Sequence, residues 1–99
     1  MRFEEVEIRW TRRSINHIAR HGVQPYEVEE CLFENASIVM QPLKRKKKKD
    51  RYMILCQCPG NGRYLFAVTT KPDKNNQIRV ITARGMNEEE KGLYWKRRG

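Results

Sequence analysis

The chain has 99 residues, 38% of them apolar, which is enough for one modest core and leaves no room for a second, so a single domain over residues 1–99 is expected. Its 21 Lys and Arg outnumber its 12 Asp and Glu, and the resulting formal charge of +9 favours polyanionic partners. The longest apolar runs, YMILC and YLFAV, are far too short to span a bilayer, and three cysteines are too few and odd in number for a secreted disulfide framework. A cytoplasmic protein with no membrane role is therefore expected.

Val6, Ile8 and Trp10 alternate at period two among charged residues, which predicts a short first strand. In TRRSINHIARHGV, Thr11 suits a helix start and Gly22 a helix end, with Ile15, Ile18 and Ala19 on one face. Pro25 fits the first turn of a second helix that turns Val28, Cys31 and Leu32 inward. From Ala36 the pattern changes to strands, in ASIVM, RYMILCQC, RYLFAVTT and QIRVITAR, with PGNG and KPDKNN as turns between them. Asn87 can cap a last helix, with Glu90 three residues later completing a capping box. The expected class is α+β: a short N-terminal strand, two helices, an antiparallel sheet of three or four strands and a C-terminal helix. Helices would cover one sheet face and leave the other available.

The charge is uneven. Residues 1–43 hold five basic and seven acidic groups, residues 44–50 six and one, and residues 51–99 ten and four. Lys44, Arg45, Lys46, Lys47, Lys48 and Lys49 form a basic loop at 44–50 in which like charges repel into an extended, solvated tract. Such a tract attracts polyanions but cannot organise base contacts.

Other cations sit on regular elements. In QIRVITAR, Arg79 and Arg84 point to opposite faces if the strand is regular, whereas a bulge would bring them together. For each, the alternative role is a surface ion pair with a glutamate. Lys91 and Tyr94 are neighbours on the last helix, where Tyr94 could equally be a half-buried anchor. His17 and His21, four apart, share a helix face; no third ligand accompanies them, so no metal or other cofactor is expected. Cys56 and Cys58 read as buried thiols. A set of histidines, arginines, a lysine and a tyrosine suits RNA cleavage by the RNA's own 2′-hydroxyl, with cations stabilising the phosphorane and acid-base groups moving protons.

RHGV after a short helix, RYMIL opening a strand, GRYLFAVTT after a turn and, above all, IRVITARGMNEEEKGLY resemble the BrnT family of bacterial toxins, within the RelE-like group of small ribonucleases. The likeness runs from Trp10 to Tyr94. It implies the toxin of a type II toxin-antitoxin pair, a metal-independent endoribonuclease that cuts RNA and inhibits translation. A BrnA-like antitoxin would neutralise it, and operator DNA would be bound only through that antitoxin. Carried over by position, His21, Arg79, Arg84, Lys91 and Tyr94 are the implied catalytic residues; Arg51, at the opening of a strand, would bind RNA together with the basic loop. Departures from the family's usual pattern are His17 for asparagine, Cys56 for glycine, Asn87 for a threonine cap, and the more basic tract.

Two other functions compete on the residues alone. One is a non-catalytic basic module holding RNA or DNA, for which the charge asymmetry suffices. The other is a purely protein-docking role for an exposed sheet face, which requires an acidic partner.

Overall fold

A computed structural model describes residues 6–33, 38–40 and 51–98. Strand β1 (Glu7–Ile8) leads into α1 (Arg12–Ala19) and α2 (Pro25–Phe33). Four strands follow, β2 (Ile38–Met40), β3 (Arg51–Gln57), β4 (Tyr64–Thr70) and the short β5 (Gln77–Ile78). Strand β6 (Val80–Gly85) and helix α3 (Glu88–Arg98) complete the order. The α+β class holds, and the main sheet is antiparallel with strand order β2-β3-β4-β6.

The first helix starts where Thr11, in extended conformation, caps it: Thr11 Oγ1 accepts from the Ser14 amide at 3.1 Å, and Ser14 Oγ accepts from the Thr11 amide at 3.0 Å. Serine thus fills the place usually taken by glutamate or glutamine. The helix ends at Ala19 with Arg20 as its C-cap, and the turn that follows is completed by Gly22, whose φ of 72° is a conformation only glycine adopts cheaply. Of the expected apolar face only Ile18 is buried, whereas Ile15 and Ala19 are exposed. Asn87 and Glu90 do form the reciprocal box that starts α3, at 2.9 and 2.8 Å.

Alternation along β4 is strict, with Leu65, Ala67 and Thr69 buried between partly exposed neighbours. In β3, by contrast, three consecutive residues, Ile54, Leu55 and Cys56, are buried. Both faces of that strand are therefore covered. Ile54 and Cys56 join Ile18, Val28 and Leu32 of the first two helices in the larger core, while Leu55 packs with Met86 and Tyr94 in a second. The expectation that one sheet face stays free of helices is corrected here: α3 lies over part of it, seated on Leu55, Tyr64 and Phe66.

QIRVITAR is not one strand. Its first two residues pair in parallel with β1, Glu7 opposite Gln77 and Ile8 opposite Ile78. Its remainder pairs with β4 through a register shift that sets Val68 opposite Thr82 and Thr69 opposite Val80, so Ile81 is an extra residue. This bulge lets Val80 and Ala83 both face the core, at 2% and 0% exposure. Arg79 and Arg84, each next to a core residue, are consequently both turned away from it. At Arg79 the chain bonds to one residue twice, its amide donating to Thr70 Oγ1 and its carbonyl accepting from the Thr70 amide, both at 3.0 Å.

Candidate active site

Where α1 runs beside the starts of β3 and β6, Thr11, Arg13, Ser14, His17, Arg51, Arg79, Val80 and Ile81 line a cleft of about 360 Å³. It contains three arginines and a histidine and, among the described residues, no carboxylate. The cap of α1 faces it, and an N-terminus carries the positive end of the helix dipole. Acidic side chains normally occupy a first turn, but here it has none and holds Arg12 and Arg13 instead. That excess of positive charge is unfavourable in isolation and favourable around an anion.

Arg51 supplies the sharpest feature. Its Nε and Nη1 are buried yet have no hydrogen-bond partner among the described residues. Buried donors are nearly always satisfied, so two guanidinium nitrogens without an acceptor among the described residues, in a cleft of like charge, suit an anion such as a phosphate. His17 is held in place by its Nε2, 3.1 Å from Thr82 Oγ1, and its ring meets that of His21 edge-on at 5.5 Å.

The residues named from the sequence thus fall into groups. Arg51 and Arg79 line the cleft together. His21 is exposed one helical turn behind His17 and does not line it. Arg84, Lys91 and Tyr94 lie at the junction of β6 and α3. Both Arg84 terminal nitrogens grip Glu90, at 2.9 and 2.8 Å, and the guanidinium stacks 4.2 Å from the centre of the Phe66 ring. This pair raises the Arg84 pKa against the opposing effect of burial. For Glu90 burial works against the charge, but Arg84 and the Asn87 amide outweigh it and hold the carboxyl below its ordinary value. Lys91 Nζ is 3.5 Å from Glu88 and 5.5 Å from the Tyr64 ring centre. Tyr94 is fully buried, its ring edge-on to Tyr64 and Trp95. Lys44, Arg45, Lys46, Lys47, Lys48 and Lys49 lie outside the described residues.

Arg13 is a charged cleft residue that the sequence did not single out, and His17, noted there as a neighbour of His21, was not among the implied catalytic residues. The signal was present, since Arg13, His17 and His21 recur every four residues along one helix face. Behind them, a second ion pair fixes the turn after α1. Arg63 Nη1 donates to the Gly22 carbonyl at 2.7 Å and to both oxygens of the buried Glu27 at 3.3 Å. Burial disfavours the Glu27 charge, but the Gln24 amide, Asn61 and Arg63 together hold its carboxyl below the usual range.

Cys31, Cys56 and Cys58 are buried free thiols. Hydrogen bonding with Cys56 and burial push the Cys31 pKa up, and burial does the same for Cys58, so neither is poised as a thiolate. Among the described residues no His, Cys, Asp and Glu group has the arrangement of a metal site, and no helix is long and apolar enough to cross a membrane.

No curated protein matches the sequence. A family model described as the ribonuclease toxin, BrnT, of type II toxin-antitoxin systems matches residues 10–90, which include every residue of the arginine-lined cleft. The chain belongs to the BrnT family of ribonuclease toxins.

Proposed function

We propose that the chain is a cytoplasmic, metal-independent endoribonuclease toxin whose cleavage site is the cleft between α1, β3 and β6, and that it inhibits translation by cutting RNA. The observation that carries this reading is the pair of buried Arg51 nitrogens, Nε and Nη1, without a partner among the described residues, in a cleft whose described lining holds no carboxylate. Three arginines and a helix N-terminus attract a phosphodiester and repel a divalent cation, so the chemistry is assigned to side chains alone. His17 takes the 2′-hydroxyl proton as that oxygen attacks phosphorus. Arg51, Arg79 and Arg13 stabilise the pentavalent phosphorane; His21, outside the cleft lining but in ring contact with His17, donates a proton to the leaving 5′-oxygen as the departing strand passes over the end of α1. The products are a 2′,3′-cyclic phosphate and a 5′-hydroxyl.

Arg84, Lys91 and Tyr94, the other residues implied by the family likeness, are assigned to seating α3 against the sheet, because the Arg84 fork is already engaged by Glu90 and Tyr94 is enclosed. A BrnA-like antitoxin bearing acidic groups would neutralise the toxin by complementing the cleft, with operator DNA reached through that antitoxin alone.

The test is incubation of purified, antitoxin-free protein with end-labelled RNA in EDTA, beside an Arg51→Ala, Arg79→Ala double variant. Cleavage by the parent alone, leaving cyclic phosphate ends, is the expected result. Salt-sensitive binding without cleavage would replace it with the second reading, a non-catalytic module that holds RNA or DNA by charge.

A further inference from the structure

Arg79 lines two depressions. Arg9, Thr70, Lys71, Asp73, Gln77 and Arg79 itself line a second hollow of about 400 Å³. The two bonds to Thr70 pin the backbone of Arg79, the residue that lines both hollows. Three cations border the second hollow against one carboxylate. That carboxylate is engaged elsewhere, since Asp73 Oδ1 accepts from the Asn75 amide at 2.8 Å and the Gln77 amide at 3.0 Å, closing the turn before β5. The Gln77 amide first, then the Asn75 amide and the charges of Arg9 and Lys74, hold the Asp73 carboxyl below its ordinary pKa, so Asp73 stays ionised and the three cations leave the hollow a surplus of two positive charges.

We propose that this hollow is a second phosphate subsite, which receives the phosphate adjacent to the scissile one in a single-stranded RNA, with Arg79 bridging the two. The inference rests on the cleft being the cleavage site and extends it to substrate length. The described lining of the second hollow contains no aromatic side chain, and the only aromatic in that of the first is His17, to which proton transfer is assigned, so the second hollow offers no aromatic platform on which a base could stack. The track therefore reads backbone charge and spacing, and a ligand with one phosphate fills only half of it. Duplex RNA, whose two backbones are locked at fixed separation, follows the turn across Arg79 less well than a flexible strand.

Binding of fluorescent 2′-O-methyl RNA to the full chain tests this without cleavage, since the nucleophile is blocked. A trinucleotide, with two phosphates, should bind on the order of tenfold more tightly than a dinucleotide with one, the gain of one added charge-assisted contact. Arg9→Ala with Lys71→Ala should remove most of that gain while weakening the dinucleotide far less. On a longer strand the same pair should lower the salt slope by about 1.4, at roughly 0.7 per cation for single strands. Lys71→Glu, at an exposed position, should reverse the length preference even if the double variant is poorly folded. Equal losses for both lengths, no loss for either, or a duplex bound as well as the single strand would overturn the subsite. The basic tract is present in every protein compared and cancels. A length gain that depends on Arg9 and Lys71 in a protein that never cleaves RNA would sink the ribonuclease mechanism and leave the two-phosphate track standing; cleavage without that gain would do the reverse.

Discussion

Replacing Arg51 with methionine should make the protein more stable and a worse ribonuclease at once. Methionine keeps much of the length and the apolar stem of arginine but removes the charged head. Two nitrogens of that head are buried without partners among the described residues, and a buried unsatisfied donor costs about 1–3 kcal/mol. Arg13 and Arg79 add repulsion across the cleft. Because water still reaches part of Arg51, we take the low end and expect a gain of about 1 kcal/mol, or a rise in melting temperature of roughly 4–8 °C for a domain of this size. Loss of charge-assisted hydrogen bonds to phosphate, about 1.5–3 kcal/mol, should weaken RNA binding roughly tenfold to a hundredfold. Thermal melting followed by circular dichroism, together with fluorescence anisotropy on a 2′-O-methyl oligonucleotide, reads both signs. A melting temperature that falls by several degrees, with affinity unchanged, would refute the reasoning by showing that Arg51 has a structural partner and no phosphate.

Arg84→Lys keeps the charge but loses the two-pronged grip on Glu90 and the stack on Phe66; with Arg84 about a third exposed, we expect a cost of only about 1 kcal/mol in a urea melt. Acid should destabilise the protein through Glu27 and Glu90. Both carboxyls are held below their ordinary value in the folded state, so their contribution is complete above about pH 4.5 and is lost as the pH falls through the folded values. Melting temperatures between pH 7 and 3 should show this, and Glu27→Gln should flatten the profile while lowering stability at pH 7 by roughly 1–3 kcal/mol. His17→Ala should slow cleavage about 10²- to 10⁴-fold with little change in RNA affinity; a loss confined to affinity would remove its proton-transfer role.

Local chemistry made much of the fold legible in advance. The Asn87 and Glu90 box, the turn residues at 59–62 and 71–76, and the alternation of β4 are each decided within a few residues of chain, and each is where the residues imply. What could not be read depends on partners far away in sequence. The parallel pairing of Glu7–Ile8 with Gln77–Ile78 joins segments 70 residues apart. The extra residue at Ile81 appears only once β4 fixes the register, and it settles which way Arg79 and Arg84 face. The run MILC in β3 did carry a hint, since an uninterrupted apolar stretch suits a strand covered on both sides, and α3 is that second cover. At the site, Arg79 and Arg51 stood out by type, but their meeting across the cleft required the tertiary fold. Arg13 and His17 shared a helical face visible in the sequence, yet nothing local showed that this face borders a strand rather than solvent.

The central claim is that the phosphodiester is cut in the cleft beside α1 and not at the junction of β6 with α3. Single-turnover cleavage rates of Arg51→Ala and of the pair Lys91→Ala, Tyr94→Phe, measured on the same RNA at saturating protein, test it most directly. Loss of a donor to the phosphorane should slow Arg51→Ala by about 10²- to 10³-fold, and the α3 pair should stay within about tenfold of the parent. The opposite order, with Arg51→Ala nearly as fast as the parent and the α3 pair inactive though folded, would contradict the claim and move the reacting phosphate to Arg84, Lys91 and Tyr94.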